Sequence, residues 1–151
     1  MWRKPTPAKK PRVAARRAAS SGPPTSTDVR RRRSGGPSTT ALGRDAEARA
    51  RRYLAGAGFE ILSSNYRTPA GEIDIIAREG DVLCFVEVRS RADTGSYDPL
   101  ETITYEKRRR IERAAEVYLE ALSGPRPAVR FDVVSVKGQR IDLLRDAFQT
   151  D

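Results

Sequence analysis

The sequence predicts an α/β fold with two helices and about five strands, on three observations. Residues 40–57 and 104–122 carry apolar side chains at the spacing of amphipathic helices. Between them lie two β-branched runs, Glu72–Ala77 and Val82–Val88, joined by the turn signal Arg78-Glu79-Gly80-Asp81. Further strand-like runs flank these segments, so the order reads helix, three strands, helix, two strands.

The first helix opens at the cap cluster Ser38-Thr39-Thr40 and runs to about Ala57. Gly58 stops it, because glycine suits the left-handed residue that ends helices. Its inward stripe is Leu42, Ala46, Ala50, Tyr53, Leu54 and Ala57, with Arg44, Arg51 and Arg52 in water. Glu47 lies beside the stripe, one turn from Gly43 and Ala50, where the bland reading is a boundary salt bridge. Phe59–Tyr66 reads as a strand and Asn65–Ala70 as a loop into the hairpin. After the hairpin, Ala92–Pro99 is a long Gly/Asp/Pro loop. The second helix spans roughly Thr104 to Leu122 and stops before Ser123-Gly124-Pro125. Ile111, Ala114, Ala115, Tyr118, Leu119 and Leu122 face inward, and Arg108, Arg109 and Arg110 fan toward solvent. Lys107 falls on the inward stripe, either snorkelling to water or pointing into a site. Val129–Val136 and Ile141–Leu144 are the last strands, and Arg145–Phe148 returns Phe148 to the core.

Composition narrows the chemistry. The 151 residues contain no histidine and one cysteine. That excludes histidine-dependent catalysis, histidine-ligated zinc and an internal disulfide, and leaves Cys84 as a buried thiol. Any hydrolysis must therefore use carboxylates and cations. No apolar run is long enough to cross a membrane and no secretory core is present, so a cytoplasmic protein is expected. Residues 1–38 hold eleven Lys/Arg against one acid, Asp28, a net +10, so the total of +9 leaves −1 for the remainder. This segment lacks large apolar residues and reads as a disordered tail before a domain at 39–151. Its clusters, Lys9, Lys10, Arg12, Arg16 and Arg17, then Arg30, Arg31, Arg32 and Arg33, suit nucleic-acid phosphates. A solubilising extension, an overlong start or a transit peptide are the other readings, the last opposed by the prolines.

Two acids interrupt the hairpin where apolar residues would pack: Asp74 and Glu87. Alternation puts Glu72, Asp74 and Ile76 on one face, and Ile73, Ile75 and Ala77 on the other. A two-residue loop at Glu79-Gly80 would set Asp74 opposite Phe85, with Glu87 as diagonal neighbour on the same face, about 7–8 Å away. A three-residue loop would send the acids to opposite faces. Two converging carboxylates repel unless a cation lies between them. An ion-pair cluster of Asp74 with Arg89, and Glu87 with Arg91 or Lys107, would meet the same need without function.

The chain resembles the YraN family of small bacterial proteins (uncharacterised protein family 0102). The resemblance rests on Gly43-x-x-x-Glu47, Tyr53-Leu54, Gly58-Phe59, Gly71-Glu72-Ile73-Asp74, Phe85-Val86-Glu87-Val88-Arg89, Lys107, Arg130-Phe131-Asp132-Val133-Val134 and Ala147-Phe148. These span residues 41–148 in order. The pattern is also similar to the restriction-endonuclease-like PD-(D/E)xK superfamily and its Holliday-junction resolvases. That resemblance implies a mixed central sheet with helices packed on it. It also implies hydrolysis of DNA phosphodiester bonds, on branched or damaged DNA among other forms, with Mg²⁺ or Mn²⁺. Carried over, Glu47, Asp74 and Glu87 become the metal-binding acids, joined by the carbonyl of Val88, and Glu72 a neighbour of that site. The cation two residues past Glu87 is usually lysine and here is Arg89, which cannot take a proton. Lys107 is the amine that could replace it, and Arg91 a phosphate anchor. Paired action of resolvases suggests a homodimer. The alternative is a nuclease fold that binds nucleic acid without cutting it. RNA stays open as a partner, although the strands show no aromatic motif for stacking bases. Asp132 is expected to fix its strand or cap a helix.

Overall fold

The computed structural model describes residues 39–91 and 103–150, with side chains from residue 41 onward. The basic segment 1–38 and the loop 92–99 lie outside the described residues. The elements are α1 (Thr39–Gly56), β1 (Glu60–Thr68), β2 (Gly71–Glu79), β3 (Val82–Arg91), α2 (Tyr105–Glu120), β4 (Ala128–Lys137) and β5 (Arg140–Phe148). The strands form one mixed sheet in the order β1-β2-β3-β4-β5. β3 and β4 are parallel, joined through the segment that contains α2, as parallel neighbours require. The other neighbours are antiparallel. The expected α/β class and element order hold.

Each helix covers a different face. Ala46, Ala50 and Leu54 of α1 pack with Ile75, Ala77, Cys84, Val86, Val134 and Val136. Ile111, Ala114, Ala115, Tyr118 and Leu119 of α2 pack with Ile73, Ile76, Leu83, Phe85, Phe131 and Val133. Leu42, Tyr53 and Ala57, expected in the α1 stripe, are exposed, and Ala46, Ala50 and Leu54 make the contact instead. On the α2 face a run of rings crosses the sheet. Tyr118 meets Tyr66 and Phe85 edge-on, Phe85 stacks on Phe131, and Phe131 stacks on Phe148. Phe148 is buried as expected, although β5 runs on to include it.

Helix ends follow local chemistry. After α1, the Phe59 amide donates to the Leu54 carbonyl and the Gly58 amide to that of Ala55, with Gly58 at φ 94°. Phe59 then packs on Leu54 in the α1-side core, which is the Schellman arrangement. Thr104 caps α2, its hydroxyl accepting from the Lys107 amide at 3.2 Å.

Three further expectations need correction. The six-residue loop before the hairpin is a tight turn: β1 continues to Thr68, whose hydroxyl accepts from the amides of Ala70 and Gly71. Arg108 does not fan into water: it lies over the Phe148 ring at 5.6 Å, and its Nε is buried without a hydrogen-bond partner among the described residues. The hairpin loop is Gly80-Asp81, with Glu79 opposite Val82. Gly80 sits at φ 58°, so the glycine takes the first loop position, where the twist of a hairpin favours positive φ. The register moves by two residues from the expected one, and the shared face survives.

Candidate functional site

The sheet forks where the two acids lie. Pairing of β2 with β3 ends at Ile75 opposite Val86, which leaves Asp74 opposite Glu87 one step beyond. From there β2 stays with β1, down to Gly71 opposite Thr68. β3 stays with β4, up to Arg91 opposite Lys137. Strict alternation also ends here: Ile73 joins the α2-side core with Ile76 rather than the opposite face with Ile75. An open ladder leaves amides without partners, and a side chain fills the gap. The Val88 amide donates to Asp74 Oδ2 at 2.8 Å. Asp74 thus holds the fork by replacing a ladder bond.

Glu87 projects toward α2 and is only 3 % exposed. Its Oε1 faces two cations, Lys107 Nζ at 3.3 Å and Arg89 at 3.6 Å. Its Oε2 is buried with no hydrogen-bond partner among the described residues. Asp74 and Glu87 face each other across the end of the β2–β3 pairing, close enough for each to perturb the other. Two carboxylates so placed share a proton or a cation. The strain appears in both groups. Burial first, then the charge of Asp74, raises Glu87 toward about 7, against Lys107 and Arg89. Burial raises Asp74 as well, opposed by the Val88 amide and Lys107. Glu72, exposed and paired with Arg67 at 3.3 Å, adds to that rise.

The expected site residues divide. Asp74, Glu87, Arg89 and Lys107 come together. Val88 joins them through its amide. Arg91 is exposed at the end of β3. Glu47 is half-buried on α1, which packs against the other face of the sheet. Among the described residues no three His, Cys, Asp or Glu side chains are grouped to hold a metal ion, so the expected three-acid cage is a two-acid pair. The basic clusters of 1–38 lie outside the described residues.

Two features escaped sequence reasoning. Gly71 is the seat of α2: a Cβ built there would stand 2.5 Å from the Arg110 carbonyl oxygen and 3.2 Å from Arg110 Cβ. A glycine opening a strand three residues before a candidate acid is the signal that could have shown it. The second is a charge network at the hairpin end, on the α1 face. Asp132, fully buried, accepts from Arg130 Nε at 2.7 Å and from the Asp146 amide at 2.9 Å. Arg130 also reaches Glu79, which Arg145 holds at 2.7 Å. Asp146 has φ 51° at the irregular register of β5, so Asp132 fixes its strand by satisfying a bulge. Burial pushes the neighbouring Cys84 thiol up to about 11, so it stays protonated, as the sequence suggested.

Comparison with known proteins places the chain. The profile of Uncharacterised protein family UPF0102 matches residues 46–136, from α1 through β4. A UPF0102 protein of Anaeromyxobacter sp. (strain Fw109-5) is 46 % identical over 112 residues, covering 72 % of this chain and 84 % of that protein. One from Chlorobaculum tepidum is 46 % identical over 101 residues, covering 67 % and 78 %. One from Nocardia farcinica is 46 % identical over 113 residues, covering 72 % and 89 %. The matched span contains every acid and cation of the fork, and the chain belongs to the UPF0102 family, the YraN family that its motifs resemble.

Proposed function

We propose that this chain is a metal-dependent nuclease that hydrolyses DNA phosphodiester bonds. One observation carries the reading: a buried carboxylate oxygen, Glu87 Oε2, has no hydrogen-bond partner among the described residues and stands beside a second carboxylate, Asp74. Such a pair is costly in an apolar setting unless a cation neutralises it. The donors suit Mg²⁺ or Mn²⁺, hard ions that bind through one or two carboxylates and keep several waters. Asp74 and Glu87 would hold the ion, with the Val88 carbonyl as the further oxygen the family resemblance implies. A bound ion would lower the pKa of a water and offset charge on the phosphate.

The chain's own residues supply the rest. The Val88 amide orients Asp74. Arg89 stays protonated and serves to hold a phosphate, not to accept a proton. Lys107 is the amine of the site, with Nζ on Glu87, and is placed to hold a proton there. Among the described residues no helix is long and apolar enough to cross a membrane.

A second reading is a binding module that holds DNA without cutting it. The two cations on Glu87 Oε1 favour it, because they already offset part of the acid charge. Incubation of supercoiled and branched DNA, and of RNA, with Mg²⁺ or Mn²⁺ separates the two. For a nuclease, Asp74→Ala lowers cutting by more than the roughly 10–100-fold typical of groups one step removed from a metal, and leaves binding intact. Divalent-independent cutting, or full cutting by both Asp74→Ala and Glu87→Gln, would sink the nuclease reading. Binding with no cutting of any substrate selects the module.

A further inference from the structure

We infer that the flank of α2 bearing Arg110 and Arg113 is the track on which a DNA phosphate backbone lies as it leaves the acid pair. This rests on the DNA-directed reading above and locates the contact within the folded domain. Lys107, Arg110 and Arg113 follow one another at three-residue steps along α2. Lys107 touches Glu87. Arg110 Cβ stands 3.2 Å from the point where a Gly71 Cβ would be, so its side chain leaves the helix over the start of β2. Asp74 is three residues further along that strand. From Lys107 to Arg113 the helix advances about 9 Å. At about 3.4 Å per nucleotide of one strand, that spans two to three nucleotides.

Among the described residues the charges around this flank are not balanced by ion pairs. Glu112 is held by Arg109 at 3.0 Å, Glu116 by Arg126 at 2.5 Å and Glu72 by Arg67 at 3.3 Å. Arg110 and Arg113 are exposed and pair with no acid among the described residues. Glu106, also exposed, lies in the first turn, where the helix dipole favours an acid. Two guanidinium groups in line with the acid pair, without an acid partner among the described residues, fit a chain of phosphates. Arg44 and Arg52 on α1 are also exposed, but their helix covers the opposite face.

The test measures binding of the full chain to a fluorescein-labelled duplex by anisotropy across a salt series, in EDTA so that nothing is cut. Arg110→Gln with Arg113→Gln is compared with Arg44→Gln with Arg52→Gln, which removes equal charge from the other face. The first pair should flatten the slope of log affinity against log salt by about 1.8, at about 0.9 for each phosphate, while the second leaves it unchanged. Equal effects from both pairs, or an unchanged slope with the first, overturn the track. Metal-dependent cutting by the unsubstituted chain, with Asp74→Ala as its control, is scored separately. No slope difference with cutting intact removes the track alone, and absent cutting with the difference intact removes the nuclease alone.

Discussion

At Glu87 two opposing effects meet. Burial and Asp74 raise its proton affinity toward about 7, while Lys107 and Arg89 pull it down. In the unfolded chain the same group titrates near 4.5. Between those values the native state binds more protons than the unfolded state, so stability falls as pH rises through the window. The deficit is complete above about 7. Asp74 is raised too and acts in the same direction. Glu87→Gln removes the titration. Its urea midpoint should change less than that of the wild type between pH 5 and 8, and at pH 8 it should be the more stable protein by on the order of 2 kcal/mol. Parallel profiles would show that Glu87 ionises as an exposed glutamate does. Both acids were legible in the sequence, because a carboxylate inside a β-branched run breaks the pattern. That Oε2 lacks a partner among the described residues was not, since it depends on how far Lys107 and Arg89 reach.

For the elements, the seat of α2 decides whether the site is assembled. Gly71 lets the backbone of Arg110 approach β2, and Lys107 lies one turn earlier on the same helix. Gly71→Ala places a methyl group 2.5 Å from the Arg110 carbonyl, so α2 must shift. Overpacking of this kind costs about 1–3 kcal/mol. In a domain of this size that lowers Tm by roughly 4 °C or more. Thermal unfolding checks the first part, and an unchanged Tm would show that the helix yields freely. Weakened metal-stimulated cutting by the same variant would report Lys107 moving off Glu87. Helix periods and caps were readable along the chain because they join residues one to four positions apart. The hairpin register differs by two from the expected one because either of two dipeptides could fill the loop. Only the twist of the sheet selects the one with glycine first.

The whole molecule divides its charge. Residues 1–38 carry a net +10, eleven Lys/Arg against Asp28, and the remainder −1. On the DNA-directed proposal, non-specific attraction falls to residues 1–38, while the α2 flank and the fork act locally. Deleting residues 1–38 should weaken duplex binding sharply and flatten its salt dependence by several units, at about 0.9 for each phosphate the tail neutralises. An unchanged salt slope after truncation would assign the tail to some other role.

The sequence alone determined the class of fold, the order of its elements, the absence of histidine chemistry and the pair of acids on neighbouring strands. These are written in neighbours along the chain and in composition. The tertiary structure alone decided that the sheet forks at the acids, that Asp74 takes the Val88 amide, and that Glu47 stands apart on the other face. It also decided that Arg130 binds Glu79 from 51 positions away. Such contacts depend on which residues the folded sheet and helices bring within a few ångströms, and no local pattern records that distance.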